Sequence, residues 1–109
     1  MSKMSSVLRS AEGDILMFWC PGCDGAHGIR VGNPGQSPAA WNFNGNYEKP
    51  TFRPSILVTR TYGNKEIKQI CHSYVTDGKI QFLPDCTHQY AGATLDLPSW
   101  PWDDSSNEE

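Results

Sequence analysis

Residues 70–83 read Ile-Cys-His-Ser-Tyr-Val-Thr-Asp-Gly-Lys-Ile-Gln-Phe-Leu, which is two β-rich runs joined by an Asp-Gly pair. Asp-Gly is a preferred sequence for the two-residue turn of a β-hairpin. A turn at this point predicts that Val75 faces Ile80 across the hairpin. Because neighbouring strand residues point to opposite faces, Cys71 then shares the more apolar face and His72 points the other way.

The rest of the chain repeats this strand-and-turn character. An apolar run at residues 15–20 predicts a buried strand. Pro21-Gly22 then turns the chain between the two cysteines, and a return strand is expected at residues 28–31. Residues 32–40 are too rich in glycine and proline for a regular element, and a last strand is predicted at 94–97.

The sequence therefore predicts a mainly β fold. We expect a small single domain of zinc-stabilised β-hairpins with at most one short helical turn, at residues 87–91. Within the chain of 109 residues, residues 1–13 are expected to be a flexible or edge segment. Residues 14–98 are expected to form the zinc-binding β domain, and residues 99–109 an acidic, disordered tail.

All the soft metal-binding side chains fall into two clusters. The four cysteines and three histidines are Cys20, Cys23 and His27 in the first cluster, and Cys71, His72, Cys86 and His88 in the second. Thiolate and imidazole groups at short spacing are typical ligands of structural Zn²⁺. The preferred ligand set is Cys20, Cys23, Cys71 and His88. His72 and Cys86 are the first alternates, and His27 is a further one.

Two other interpretations of these cysteines stay open. Cys20-Pro21-Gly22-Cys23 has the spacing of a redox dithiol, although the glycines and β-prone residues after it do not predict the helix that such a motif precedes. Cys71 is also acceptable as a small buried thiol of the hydrophobic core. The concentration of thiols and imidazoles in so small a chain is most simply explained by a zinc site, so we expect Zn²⁺ as the cofactor.

A catalytic role for the second cluster is the main alternative to a purely structural one. If His72, Asp85 and His88 lined a cleft beside an open zinc, the ion could activate water for hydrolysis. Asp85 would then act as a base or as the partner of a histidine. The sequence holds no complete metalloprotease or zinc-deaminase motif. We therefore expect no catalytic residues, and a binding protein rather than an enzyme.

Charge and hydropathy limit the partners. The formal net charge is −3, and four acids and no bases lie in residues 103–109. This charge balance does not predict the strong positive electrostatic field that attracts nucleic acids. The longest apolar run is too short to span a bilayer, and the N-terminus carries no apolar stretch of signal-peptide length. A cytoplasmic protein that binds a protein partner is expected, without membrane attachment.

A nucleic-acid partner is the third hypothesis. A single-stranded nucleic-acid-binding zinc ribbon would expose Trp41, Phe43 or Tyr74 beside gathered arginines, because bases stack on aromatic rings.

Several motifs carry a resemblance to a known family. They are Cys20-Pro21-Gly22-Cys23 with His27, Trp41-Asn42-Phe43-Asn44-Gly45, Lys49-Pro50-Thr51-Phe52-Arg53-Pro54-Ser55, the 71–83 hairpin, Asp85-Cys86-Thr87-His88 and Ala91-Gly92. Over about residues 15–98 the chain resembles an uncharacterised family of small phage and prophage proteins, some of which are labelled ammonia monooxygenase. The chain lacks the membrane spans and copper site which that label requires. The resemblance implies a phage setting and metal binding. With the expectations above, it suggests an accessory protein that docks on a host or phage macromolecule, and that could act as an inhibitor in the host cytoplasm.

Overall fold

A computed structural model describes residues 2–36, 38–62 and 67–101. Within these ranges the chain forms two antiparallel β-sheets and no helix. The strands are β1 (Ser2–Lys3), β2 (Leu8–Ser10), β3 (Ile15–Cys20), β4 (Gly25–Arg30), β5 (Asn42–Phe43), β6 (Phe52–Tyr62), β7 (Ile67–Thr76), β8 (Lys79–Phe82) and β9 (Thr94–Asp96). The predicted mainly β fold is confirmed.

The first sheet has the strand order β1-β2-β3-β4. Its centre is β3, where buried and half-buried side chains alternate so that Leu16, Phe18 and Cys20 point inward. A four-residue turn then leads into β4, with Asp24 in the left-handed region at φ 53°. The predicted strand, knuckle and return strand are confirmed, although the return strand begins at Gly25, earlier than expected.

The second sheet has the order β5-β6-β7-β8-β9 and contains the predicted hairpin as β7 and β8. Val75 pairs with Ile80 as predicted. Asp77 and Gly78 both have positive φ, 51° and 79°, which is the backbone of the mirror-image turn that Asp-Gly favours. Cys71 is buried and His72 is half-buried, so the predicted division of β7 into two faces is also confirmed.

The core lies between the sheets and takes residues from both. Leu8 and Phe18 of the first sheet and Phe52 and Phe82 of the second are each at most 1% exposed and belong to one apolar cluster. Trp100 extends this packing beyond the last strand. Its indole N–H donates to the carbonyl of Val7 at 3.1 Å, and its side chain is 6% exposed.

The segments near the two ends of the chain can be compared with the predicted domain boundaries. The N-terminal segment supplies an edge strand, β1, and the partly central β2. Residues 89–92 form turns rather than a helix. The acidic end of the tail, residues 102–109, lies outside the described residues. No helix long and apolar enough to cross a membrane occurs in the described ranges.

Candidate active site and metal centre

Two groups of polar side chains lie on opposite faces of β7. Cys71 points to the inner face, between the two sheets, and is 2% exposed. Its neighbour His72 points to the outer face of the second sheet, where its side chain is 25% exposed. The two residues therefore belong to different sites, although they are consecutive in the chain.

The inner site gathers four metal-binding side chains. Cys20 ends β3, Cys23 lies in the following turn, His27 lies on β4, and Cys71 is supplied by β7 of the other sheet. One ligand atom from each lies within 4.8 Å of the others. The backbone N–H of Cys23 donates to the Cys20 sulfur at 3.4 Å, so the turn is folded around that sulfur. All described cysteines are free thiols.

The protonation of these thiols is strongly coupled. The pKa of Cys20 is lowered to about 4, first because Cys71 donates a hydrogen bond to its sulfur, with His27 adding to the effect against the cost of burial. The pKa of Cys71 is raised, because that hydrogen bond holds its proton and because it is buried. Burial, followed by the charge on Cys20, raises the pKa of Cys23.

Two observations fit this cluster to a metal ion. The Nε2 atom of His27 is buried and has no hydrogen-bond partner among the described residues, which is costly unless it binds something else. The sulfur atoms of Cys20 and Cys71 are 3.7 Å apart. Sulfurs at two corners of a tetrahedral zinc site with Zn–S bonds of about 2.3 Å would be about 3.8 Å apart. A set of three sulfurs and one imidazole is itself a common structural zinc set.

His88 lies beside this cluster in a second group, with Cys71 and Cys86. Its ring packs over Gly22, where an added Cβ would collide with the imidazole. Its Nδ1 atom accepts a hydrogen bond from the backbone N–H of Tyr90 at 3.2 Å, and its Nε2 atom, like that of His27, is buried without a hydrogen-bond partner among the described residues. Of the predicted ligand set, the structure brings Cys20, Cys23 and Cys71 together, and the fourth donor in their group is His27.

Cys86, the other predicted alternate, has a different local role. Its sulfur lies 3.2 Å from both the backbone N and the backbone O of His72, so it fastens the loop after β8 to β7. Its side chain is 8% exposed.

The outer site is a chain of three side chains linked by hydrogen bonds. Ser55 Oγ lies 3.0 Å from His72 Nε2, and His72 Nδ1 lies 3.0 Å from Asp85 Oδ2. An imidazole bonded to a serine hydroxyl through one nitrogen and to a carboxylate through the other is the arrangement of a Ser-His-Asp catalytic triad. Neither group of metal-binding side chains includes His72 or Asp85.

The folding of the second sheet explains how these three residues meet. Ser55 lies on β6, directly after Pro54, and its carbonyl accepts a hydrogen bond from the Trp41 indole at 3.1 Å. Leu57, two residues further along β6, pairs with His72 across the ladder. Ser55 and His72 consequently share the outer face. Asp85 lies in the turn that follows β8, and its side chain is 53% exposed.

The sequence reasoning found two members of this triad and missed the third. His72 and Asp85 were considered as candidate catalytic residues beside an open zinc with His88, and the structure places His72 and Asp85 in contact with each other but in neither metal-binding group. Ser55 was not singled out. The outward direction of His72 was the available signal, since Ser55 on the neighbouring strand β6 lies within its reach.

Comparison with protein families gives one match. A family model described as bacterial ubiquitination-like system serine protease (BubE) matches residues 1–83. The matched range includes Ser55 and His72 and ends just before Asp85. No curated protein and no solved structure matches the chain significantly.

Proposed function

The chain belongs to the BubE family of bacterial ubiquitination-like system serine proteases, and we propose that it is a serine protease with Ser55 as its nucleophile. The observation that carries this proposal is the Ser55–His72–Asp85 hydrogen-bond chain, with both links at 3.0 Å. The family's description names the reaction class, and the side-chain geometry supplies residues for it.

The roles follow from which atom each residue offers. Ser55 Oγ attacks the carbonyl carbon of the scissile bond while His72 Nε2 takes the hydroxyl proton. Asp85 Oδ2 accepts from Nδ1–H of His72, which fixes the tautomer that leaves Nε2 free to act as the base. The protonated His72 then gives its proton to the leaving amine, and a water molecule attacks the acyl-Ser55 ester in a second, equivalent cycle. His72 and Ser55 are the catalytic residues, and Asp85 is a positioning residue.

The proposed substrate is a peptide bond of a ubiquitin-like protein, which the family's description supports. The outer face also suits a protein substrate. The triad lies on the surface of a sheet rather than in a closed cavity, and Asp85 and Leu57 are exposed there. An open position of this kind admits a polypeptide segment.

We further propose that the inner cluster binds Zn²⁺ as a structural ion, held by Cys20, Cys23, His27 and Cys71. A zinc ion held by these residues would join the first sheet and its turn to β7 of the second. It would thereby fix the strand from which His72 projects and would support the triad without taking part in the reaction. A cytoplasmic setting, where thiols stay reduced, suits this ligand set.

Covalent labelling tests the proposed nucleophile. A fluorophosphonate probe reacts with an activated serine and should modify the protein once, at Ser55, as located by peptide mass spectrometry. Ser55→Ala should remove labelling and hydrolysis together. Ser73→Ala is the matched control: this serine lies on the neighbouring strand, and its buried hydroxyl has no partner among the described residues. Absence of labelling in the folded, metal-loaded protein would refute the protease proposal.

The same experiment separates the other hypotheses. A phage accessory module that only binds a macromolecule would give no labelled serine. A zinc hydrolase would lose activity on chelation while the protein stayed folded, and would not be blocked by the probe. A nucleic-acid-binding ribbon would show salt-dependent retention on single-stranded nucleic acid. The Ser55–His72 contact favours the protease over these three.

A further inference from the structure

The strand that carries Ser55 has an open edge. In the second sheet β6 is paired on one side with β7 at Phe52 and again from Ile56 to Tyr62, with a register shift between them in which Ser55 lies. On the other side, within the described residues, only Phe52 and Arg53 are paired, with the short β5. From Ser55 onward, no strand of the described ranges covers this side. Leu57, on this stretch, is 57% exposed.

The hydrogen bonds of β7 show which β6 backbone groups face this edge. The backbone N and O of His72 are used on the β8 side, by Cys86 and by the N–H of Leu83. In an antiparallel ladder, a residue whose backbone groups turn away from its partner forms a non-hydrogen-bonded pair. Leu57 is the partner of His72, so the N–H and C=O of Leu57 point to the open edge.

Thr59, two residues after Leu57 on β6, has the same backbone orientation. Ile70 uses its backbone N and O with Thr87, and its partner on β6 is Thr59. The N–H and C=O of Thr59 therefore also face the open edge. Leu57 and Thr59 together offer two donors and two acceptors at the spacing of a β-ladder, beginning two residues from the nucleophile.

We propose that this edge is the substrate-binding site of the protease: an extended peptide segment pairs with Leu57 and Thr59 as an added antiparallel strand. The inference rests on the proposed function, because it uses Ser55 as the reacting group. Addition of a strand to a sheet edge gives affinity through main-chain bonds and selectivity through alternate side chains.

The surroundings of Ser55 fix the direction and the limit of this strand. The Trp41 indole already occupies the Ser55 carbonyl, and β5 covers the edge beyond it. A peptide can therefore pair only on the Leu57 side of Ser55. In the antiparallel direction it runs from Thr59 toward Ser55, which places the residues that precede the scissile bond along the edge.

The register predicts a side-chain preference. The peptide residue whose carbonyl is attacked lies opposite Ser55. When that residue is counted as the first, the third residue toward the peptide's N-terminus lies opposite Leu57. Directly opposed residues in a ladder project to the same face. The exposed Leu57 side chain, flanked on that face by the uncharged Thr59, favours an uncharged, apolar side chain at this third position.

The test uses acetylated pentapeptide coumarin amides, with each position varied in turn, on the metal-loaded protein. Thr59→Pro removes the outward N–H and obstructs the edge, while leaving the bonds to β7 intact. It should lower kcat/KM at least about tenfold, the effect expected from one or more lost ladder bonds. Thr94→Pro introduces the same residue into β9, at the opposite edge of this sheet, and should stay within about twofold of the parent protein. Leu57→Asp should shift the preferred third residue from apolar to lysine or arginine.

Labelling by the small fluorophosphonate separates this inference from the proposed function. Normal labelling of Thr59→Pro with reduced peptide hydrolysis supports the edge as the binding site. Normal labelling with unchanged hydrolysis, or an unaltered preference in Leu57→Asp, overturns the inference and leaves the protease proposal intact. A change of oligomeric state in Thr59→Pro with unchanged hydrolysis would assign the edge to a second copy of the chain and would equally overturn it. Absence of fluorophosphonate labelling in the parent protein overturns both the protease proposal and this inference.

Discussion

The two faces of β7 place similar side chains in opposite environments. On the inner face, Cys71 is 2% exposed and lies 3.7 Å from the sulfur of Cys20, a residue from the other sheet. On the outer face, the His72 side chain is 25% exposed and bonds only to residues of its own sheet and the following turn. A structural ion is stable when its ligands close around it, whereas a nucleophile needs an open side. One strand meets both requirements because consecutive residues point in opposite directions.

This contrast implies that damage to one face should have different consequences from damage to the other. Loss of the inner site should unfold the protein and abolish activity with it. Loss of the outer site should abolish activity in a protein that stays folded and keeps its metal.

The largest effect is expected from Cys23→Ser. Removing a thiolate ligand sacrifices most of the binding free energy of a structural zinc, on the order of 10 kcal/mol, which is comparable to the whole stability of a small domain. The variant should contain no metal by elemental analysis and should show no cooperative thermal transition by circular dichroism. A folded, active Cys23→Ser protein would contradict the structural role of the cluster.

The next effect is expected from Asp85→Asn on the outer face. An amide in place of the carboxylate no longer holds His72 in the required tautomer, and kcat should fall by about 10³-fold, or about 4 kcal/mol in the activation barrier. Metal content and melting temperature should match the parent protein. Unchanged kcat would remove Asp85 from the triad.

A smaller effect, on zinc affinity, should distinguish His27→Ala from His88→Ala. If His27 is the fourth ligand, its loss should weaken zinc binding by more than about 10²-fold, the upper end for loss of a group that only supports a ligand. His88→Ala should retain one zinc per chain. Competition with a chromophoric chelator measures both affinities. The reverse ranking would restore the ligand set predicted from the sequence.

The smallest effect is expected from Trp41→Phe. This substitution keeps an aromatic ring and removes one hydrogen bond, the 3.1 Å bond to the Ser55 carbonyl. A bond of this kind contributes about 1 kcal/mol, so kcat/KM should fall about fivefold through a less fixed Ser55. Zinc content should not change. An equal loss in unfolding free energy would mean that Trp41 supports the fold rather than the nucleophile.

The sequence was most informative where structure is set locally. The Asp-Gly turn fixed the β7–β8 register, and that register correctly separated Cys71 from His72. Cys20 and Cys23 were predicted as a pair because a single tight turn presents both. Each of these predictions depends on contacts between residues that are close in the chain, where spacing determines geometry.

The parts that were missed depend on longer-range pairing or on a strand boundary. Ser55 reaches His72 through the β6–β7 ladder, whose register shifts between Phe52 and Ile56, and no local motif predicts such a shift. A lone serine also carries no local pattern. His27 was assigned to a loop because β4 was expected to begin at Gly28; the strand begins at Gly25, which turns His27 inward to 4% exposure.

The Trp41 indole gives the outer site an optical property of its own. Indole fluorescence responds to hydrogen bonding at the ring N–H, and here that N–H is bound to the carbonyl of the nucleophile itself. The difference in emission between the parent protein and Trp41→Phe isolates this one fluorophore from the other tryptophans. Acylation of Ser55, or a peptide arriving beside it, would then be visible in real time without a labelled substrate.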